Sequence, residues 1–421
     1  MGLGKRWWIF VLVVVVAGAL VWLDPLKEKP YVCPDKLGCV VIAPFEPLKL
    51  GVIQALSGRV ATLGLEQVRG LELALARRAN MVHGHQVNLQ MEDTGCKPEG
   101  GATAALKIVS DPAIAAIFGT TCSGDAATAA EVMSEAGLSM ISGNNSAPFL
   151  TAIGGQKAPK WQPGFFRTAP NEESAGPAAA RYAYERLGAR KAAVVNDGDI
   201  YTRGLTDGFR KEFERLGGTI VLHGTVSKGE SNMEPIITSI VNAQAGLVFF
   251  PLFQPDGNNF LLQARKTPAM RNVVLMSDGA LIDSTFITAV QEASVGMYFV
   301  GPAPAPQGPL LDELSTAYQT KYQMVAPTMY YVSAYDAANI LLDALEKVAV
   351  VERNGTMHIG RQALRDALYA TAGHKGVGGT MQCNDFGDCA PVRFNVLRMD
   401  DPAAGVEGLK ANIVYSYAPA Q

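Results

Sequence analysis

Short apolar runs alternate with longer amphipathic segments from residue 48 to residue 348. The runs at 48–55, 86–92, 114–119, 138–142, 192–196, 219–223, 247–251, 273–277 and 297–300 read as strands. Helical periodicity occupies 65–79, 101–110, 126–135, 173–187, 203–216, 235–243 and 257–266, and continues at 310–322 and 334–348. A strand that is apolar throughout needs cover on both faces, and a helix after each strand supplies it. The rhythm therefore predicts βαβ units, parallel sheets and an α/β fold.

The series is too long for one compact sheet. Gly154, Gly155, Pro159 and Pro163 interrupt it within 151–168, and the stretch GPAPAPQGP interrupts it at 301–309. Both breaks are accounted for by two doubly wound parallel-sheet lobes joined by a hinge, with a cleft between them. The expected organisation is an N-terminal segment 1–28, a linker 29–47, a first lobe of 48–165 plus 301–376, and a second lobe of 166–300 plus 377–421. Short strands are expected near the end, at 379–382, 392–396 and 413–417.

The N-terminus addresses the chain for export. Lys5 and Arg6 precede the uncharged run Trp7 to Leu23, which Asp24, Pro25 and Lys27 close. The run is either a signal peptide, with Ala17-Gly18-Ala19 as a candidate cleavage site, or a single membrane anchor. Positive charge on its N-terminal side sends the remainder out, to the periplasm or the outer face of the cytoplasmic membrane. No cysteine directly follows the run, which argues against a lipoprotein. The net charge of −3, with no basic block beyond the N-terminus, argues against a nucleic-acid partner.

The six cysteines fit an oxidising compartment. Cys33 and Cys39 enclose CPDKLGC, Cys383 and Cys389 enclose CNDFGDC, and Cys96 and Cys122 remain as the third pair. No C-x-x-C occurs, and His83 and His85 (HGH) read as a solvated turn, so no metal site is expected.

In doubly wound sheets, ligands bind outside the carboxyl ends of the strands. The segments there are GTTCSGD (119–125), SGNNSAP (142–148), NDGDIYTRG (196–204) and SDGA (277–280). Ser123 lacks a nucleophile-elbow pattern, no histidine follows a strand, and neither GxGxxG nor a Walker loop is present. Enzymatic chemistry and a cofactor are therefore not expected. Ser123, Ser146 and the backbone at Asn144 can grip a carboxylate. Asp278 can accept from an ammonium, and Tyr201 can cover the ligand. Each residue also has a plain explanation: serines cap helices, Asp-Gly makes turns, and Asp197 with Asp199 reads as a solvated turn. Together they describe an α-amino acid site between two lobes.

The segments LGVIQALSGRVATLGLEQVRGLELA (50–74), EDTGCKPEGGATAALKIVSD (92–111), LSMISGNNSAPFLT (138–151), FRTAPNEESAGPAAARYAYERLGARKAAVVNDGDIYTRGLTDGF (166–209) and LVFFPLFQPDGNNFLLQAR (247–265) resemble the periplasmic branched-chain amino acid binding proteins of the leucine/isoleucine/valine-binding type. The resemblance spans about 48 to 400. It implies the type I periplasmic-binding fold, a Cys96–Cys122 disulfide, and a non-enzymatic receptor that delivers a small ligand to ABC transporter permease subunits. It also implies that Ser123, Asn144 and Ser146 hold the ligand carboxylate and nearby amine, that Tyr201 lines the cleft, and that Asp278 replaces the usual ammonium-binding Glu. Leu63 and Phe253 stand where cleft tyrosines are often found, and Tyr330 is placed against the ligand side chain. Both short cysteine loops lie outside the family pattern. A sensor domain of the same fold, signalling to a membrane partner, is the alternative function, and a hydrolase with a histidine beside Ser123 ranks below it.

Overall fold

The computed structural model describes residues 31–58 and 60–418, so the apolar run at 7–23 lies outside it. Among the described residues no helix is long and apolar enough to cross a membrane. The compact body described below begins at Asp35.

Two sheets organise this body. In the first, the strands lie in the order Met81–Val82, His85–Asp93, Leu48–Gln54, Ile114–Gly119, Met140–Ser142, Phe165–Arg167. All neighbours are parallel except the opening hairpin. In the second, the order is Thr219–Thr225, Lys191–Asn196, Leu247–Phe249, Val274–Asp278, Tyr298–Pro302, Phe394–Arg398, Ile413–Tyr417. The first five are parallel and the last two antiparallel. Numbered along the chain, the five-stranded parallel core of each sheet has the order 2-1-3-4-5. This is a doubly wound topology, with its switch point between the first and third strands.

The central strands are apolar because helices cover both faces. Every residue of Ile114–Gly119 is buried. On one face, helices Ala61–Ala76 and Tyr330–Val348 pack closely because Gly70 has no side chain; a Cβ there would lie 2.5 Å from the Tyr331 carbonyl oxygen. Pro98–Val109 and Ser123–Glu135 contribute to the core on the other face.

Several elements depart from the sequence reading. The break at 151–168 contains the strand Phe165–Arg167, three fully buried residues that complete the first sheet. The expected linker contains the strand Cys39–Ile42, paired with Met357–Gly360, and its Val40 and Ile42 are buried in the first core. Val377, Met381, Cys383 and Cys389 also join that core, so the final passage to the second sheet starts near Ala390 rather than at 377. His85 is not solvated; its buried ring lies 2.7 Å from the Glu46 carbonyl oxygen and 3.0 Å from that of Gly355.

Cys96 is bonded to Cys122 and Cys383 to Cys389, as expected. The chain passes between the sheets at 168–171, 303–308 and 390–393, and Ala303 N donates to Arg393 O at 2.9 Å, tying two passages together.

The buried charge of Arg167 fixes the edge of the first sheet. Its guanidinium meets Asp388 at 2.6 Å and donates to Ala147 O at 2.7 Å and Asn145 O at 3.3 Å. Arg167 N donates to Gly387 O, and Cys389 N to Arg167 O, both at 2.9 Å. The CNDFGDC loop therefore extends the sheet and neutralises its buried arginine. Asp388→Asn keeps the shape and strands the Arg167 charge, so it should cost about 3–5 kcal/mol, read as a lower urea midpoint. An unchanged midpoint would show that Arg167 does not depend on this partner.

Candidate functional site

The two switch points face one another. Between them lies a small cavity with about 270 Å³ of empty space. Thr121, Cys122, Ser123, Asn144 and Ser146 line it from the first lobe, Tyr201, Phe253 and Ala280 from the second, and Tyr330 closes it. Six predicted residues thus meet here: Ser123, Asn144, Ser146, Tyr201, Phe253 and Tyr330. Asp278 lies just behind them. Leu63 does not join them, since it is buried on the helix Ala61–Ala76.

Hydrogen bonds within the chain hold the first-lobe loops. Ser142 Oγ accepts from the backbone of Asn144 and Asn145, each at 3.0 Å, and donates to Thr120 O at 2.9 Å. Thr120 N donates to Asn145 Oδ1 at 2.9 Å. Ser123 is the first residue of the helix Ser123–Glu135, and the cap position falls to Cys122, whose side chain makes no capping bond. The Ser123 hydroxyl instead accepts from Ala147 N at 3.2 Å, joining the two loops. The first N–H groups of that helix have no acceptor within it and carry partial positive charge. Hydroxyls and backbone donors thus converge on one end of the cavity.

The second lobe supplies acid and aromatic groups. Asp199 caps the helix Ile200–Arg215 by accepting from Tyr201 N at 2.9 Å, and the buried Asp197 accepts from Thr202 Oγ1 at 2.6 Å. Asp199 is thus a helix cap and Asp197 a buried brace of the same turn, accepting also from Asp199 N at 3.1 Å, so the pair is not a solvated turn. They set the start of the helix that carries Tyr201, whose ring packs 5.4 Å from that of Phe253. The Tyr201 hydroxyl donates to Asp278, the last residue of the strand Val274–Asp278. Ala280 N and Ser277 Oγ donate to the same carboxylate at 3.2 and 3.3 Å. Burial pushes the Asp278 carboxyl up to about 6 in spite of these donors.

A second acid, absent from the sequence reading, lies beside the first. Glu172 is buried, and its Oε2 has no hydrogen-bond partner. Burial and the nearby Asp278 push its carboxyl up to about 8, against the opposing influence of the Tyr201 and Ser146 hydroxyls and the Arg167 charge. Its signal was hidden because it follows Phe165–Arg167, the strand that the glycine- and proline-rich break concealed.

The lobes are closed on one another. Lys228 of the second lobe donates to Cys96 O of the first at 3.2 Å and meets Asp199 at 3.3 Å. The lining contains no histidine to activate Ser123, and the disulfide occupies Cys122. Among the described residues no cluster of His, Cys, Asp and Glu could hold a metal ion. The arrangement can bind, orient and enclose a small polar molecule.

Comparison with known proteins agrees with this geometry. The periplasmic binding protein family matches residues 47–387. A Leu/Ile/Val-binding protein homolog of Brucella melitensis is 25% identical over 362 residues, covering 85% of this chain and 93% of its own. The Leu/Ile/Val-binding protein of Escherichia coli K12 is 25% identical over 293 residues, covering 68% of this chain and 77% of its own. Among solved structures, a leucine binding protein from Thermotoga maritima superposes with a TM-score of 0.76 at 21% identity, over 88% of this chain and 99% of that one. A solute binding protein from R. palustris in complex with benzoate superposes at 0.73 and 20% identity, over 89% and 97%. Fold, closed two-lobed cleft and family match agree: this chain belongs to the periplasmic binding protein family and is a binding protein, not an enzyme.

Proposed function

We infer that the chain is the exported receptor of an ABC importer and closes around an amino acid, branched-chain or a related small carboxylate or amide. One observation carries the reading: hydroxyl and backbone donors of the first lobe face Tyr201 of the second across one cavity, with Asp278 bonded to the Tyr201 hydroxyl behind it. Ser123, Ser146 and the loop at Asn144 take the carboxylate. Asp278 takes the ammonium, Tyr201 positions it, and Phe253 and Tyr330 bound the side chain. The relatives' names point to leucine, isoleucine and valine. Asp278 favours an amine-bearing ligand over a plain carboxylate such as the benzoate in the R. palustris neighbour.

Calorimetry of the exported part against amino acids, short-chain amides and plain carboxylates tests the reading, which falls if no amino acid binds. Ser123→Ala removes a charge-assisted bond worth roughly 1.5–3 kcal/mol, so affinity should drop about tenfold or more. Because Ser123 also holds Ala147, a modest fall in Tm should accompany it. A fall in Tm with unchanged affinity would reduce Ser123 to a loop tie.

Asp278→Asn removes charge with little change of shape. Loss of one partner of a desolvated pair costs about 2–5 kcal/mol, so amino acid binding should weaken by well over an order of magnitude. A ligand of the same shape without the amine should be far less affected. Equal loss for both would remove Asp278 from ammonium recognition.

A further inference from the structure

Glu172 is buried with one carboxyl oxygen, Oε2, left without a partner, although the Tyr201 and Ser146 hydroxyls act on the carboxyl. By contrast, both oxygens of Asp125 have donors in Thr94 and Thr120, and Asp278 accepts from Tyr201, Ala280 and Ser277. Asp197 also has one bare oxygen, but its other accepts from Thr202 within its own loop. The Glu172 backbone N–H donates to Ser146 O at 3.0 Å, which places the residue directly behind a cavity wall. The groups that face its carboxyl come from every side of the pocket: Asp278 from the strand Val274–Asp278, Tyr201 from the helix Ile200–Arg215, Ser146 from its loop, and Arg167 from the strand Phe165–Arg167. Tyr330, on the helix Tyr330–Val348, is close enough to both acids for each to oppose its ionisation. The charge of Arg167 is already engaged by Asp388. Two carboxyl groups therefore share a buried end of the cleft, and among the described residues no lysine or arginine lines the cavity beside them.

Two buried like charges oppose one another's ionisation, so the pair retains a proton over a pH range in which free carboxyls would have lost theirs. A cation entering between them removes the reason to retain it. We propose that Glu172 is a second ligand-contacting acid, and that the ligand's ammonium takes the place of a proton that Glu172 and Asp278 hold in the empty cleft. This rests on the reading of the cleft as a site for an amine-bearing solute. The proton leaves to solvent, and one ammonium compensates the charge that appears on the pair. The sign follows from linkage: binding that releases a proton tightens as pH rises, up to the pH at which the empty site has already lost it. The raised carboxyls put that window between about 6 and about 8.

The test is calorimetry of L-leucine binding to the full chain and to Glu172→Gln, from about pH 6 to about pH 9, in buffers of different ionisation heat. Wild type should release up to about one proton, with affinity rising by up to about tenfold per pH unit below pH 8. Glu172→Gln, checked for an intact fold by its Tm, should release less and lose the rise above about pH 7. 4-Methylpentanoate, which is leucine without the amine, should release no proton from either protein. Equal proton release and equal pH slopes in wild type and variant would overturn the proposal and leave Glu172 a structural group. If L-leucine binds neither protein, the amino acid reading is what has failed. The proposal is then decided by carbon NMR of the glutamate-labelled full chain with methylammonium chloride as probe. A shift of the one carboxyl resonance missing from Glu172→Gln supports it, and no shift overturns it.

Discussion

A single buried guanidinium holds the ligand end of the first lobe in shape. Arg167 donates to the carbonyls of the loop that carries Asn144 and Ser146, and its charge is met by Asp388, 221 residues along the chain. An isolated buried cation is untenable in a protein interior, so the edge strand and the disulfide loop 383–389 depend on one another. The loop from Ser142 to Ala147 is thereby fixed from beneath by Arg167 and from the side by Ser123 and Thr120. A site that grips with backbone groups needs such support, because the backbone can point at a ligand only if its own position is already determined.

The electrostatics of the cleft follow from the burial of its polar groups. Hydroxyl donors and a helix start are gathered on the first lobe, with Glu172 behind Ser146, and Asp278 lies on the second lobe with Tyr201 beside it. In water these groups would have little preference for any partner. Once the lobes close, every unpaired charge becomes costly, so the cleft discriminates by the complementarity of charge as well as by shape. Lys228, which reaches across to the Cys96 carbonyl, adds one polar tie between the lobes.

Much of this was legible in the sequence because the doubly wound rhythm carries its own address system. Once the apolar runs are read as parallel strands, their trailing residues are the site, and Ser123, Ser146 and Tyr201 follow directly. The cavity also contains Phe253 and Tyr330, which the family resemblance placed there, whereas Leu63, placed by the same resemblance, is buried on the helix Ala61–Ala76 and does not line it. What the sequence concealed was non-local. Phe165–Arg167 is three residues long and sits after a glycine- and proline-rich stretch, so no periodicity could reveal it. Without that strand, neither the partner of Arg167 nor the position of Glu172 could be derived. Asp197 looked solvated because Asp-Gly pairs usually are, yet here it is buried as part of a helix cap.

The three passages between the sheets have a mechanical consequence. Segments 168–171, 303–308 and 390–393 border one common cavity, and they carry Pro170, Pro304, Pro306 and Pro391. Proline fixes φ, so each strip resists coiling and shortening. Stiff strips lying side by side bend together about a line across them, but sliding or twisting one lobe against the other would have to stretch at least one strip. The protein is thus built like a flexure with one soft axis. A motion of the lobes about that line would bring the loops that face one another across the cavity back into the same registry, the alignment being kept by the linkage itself.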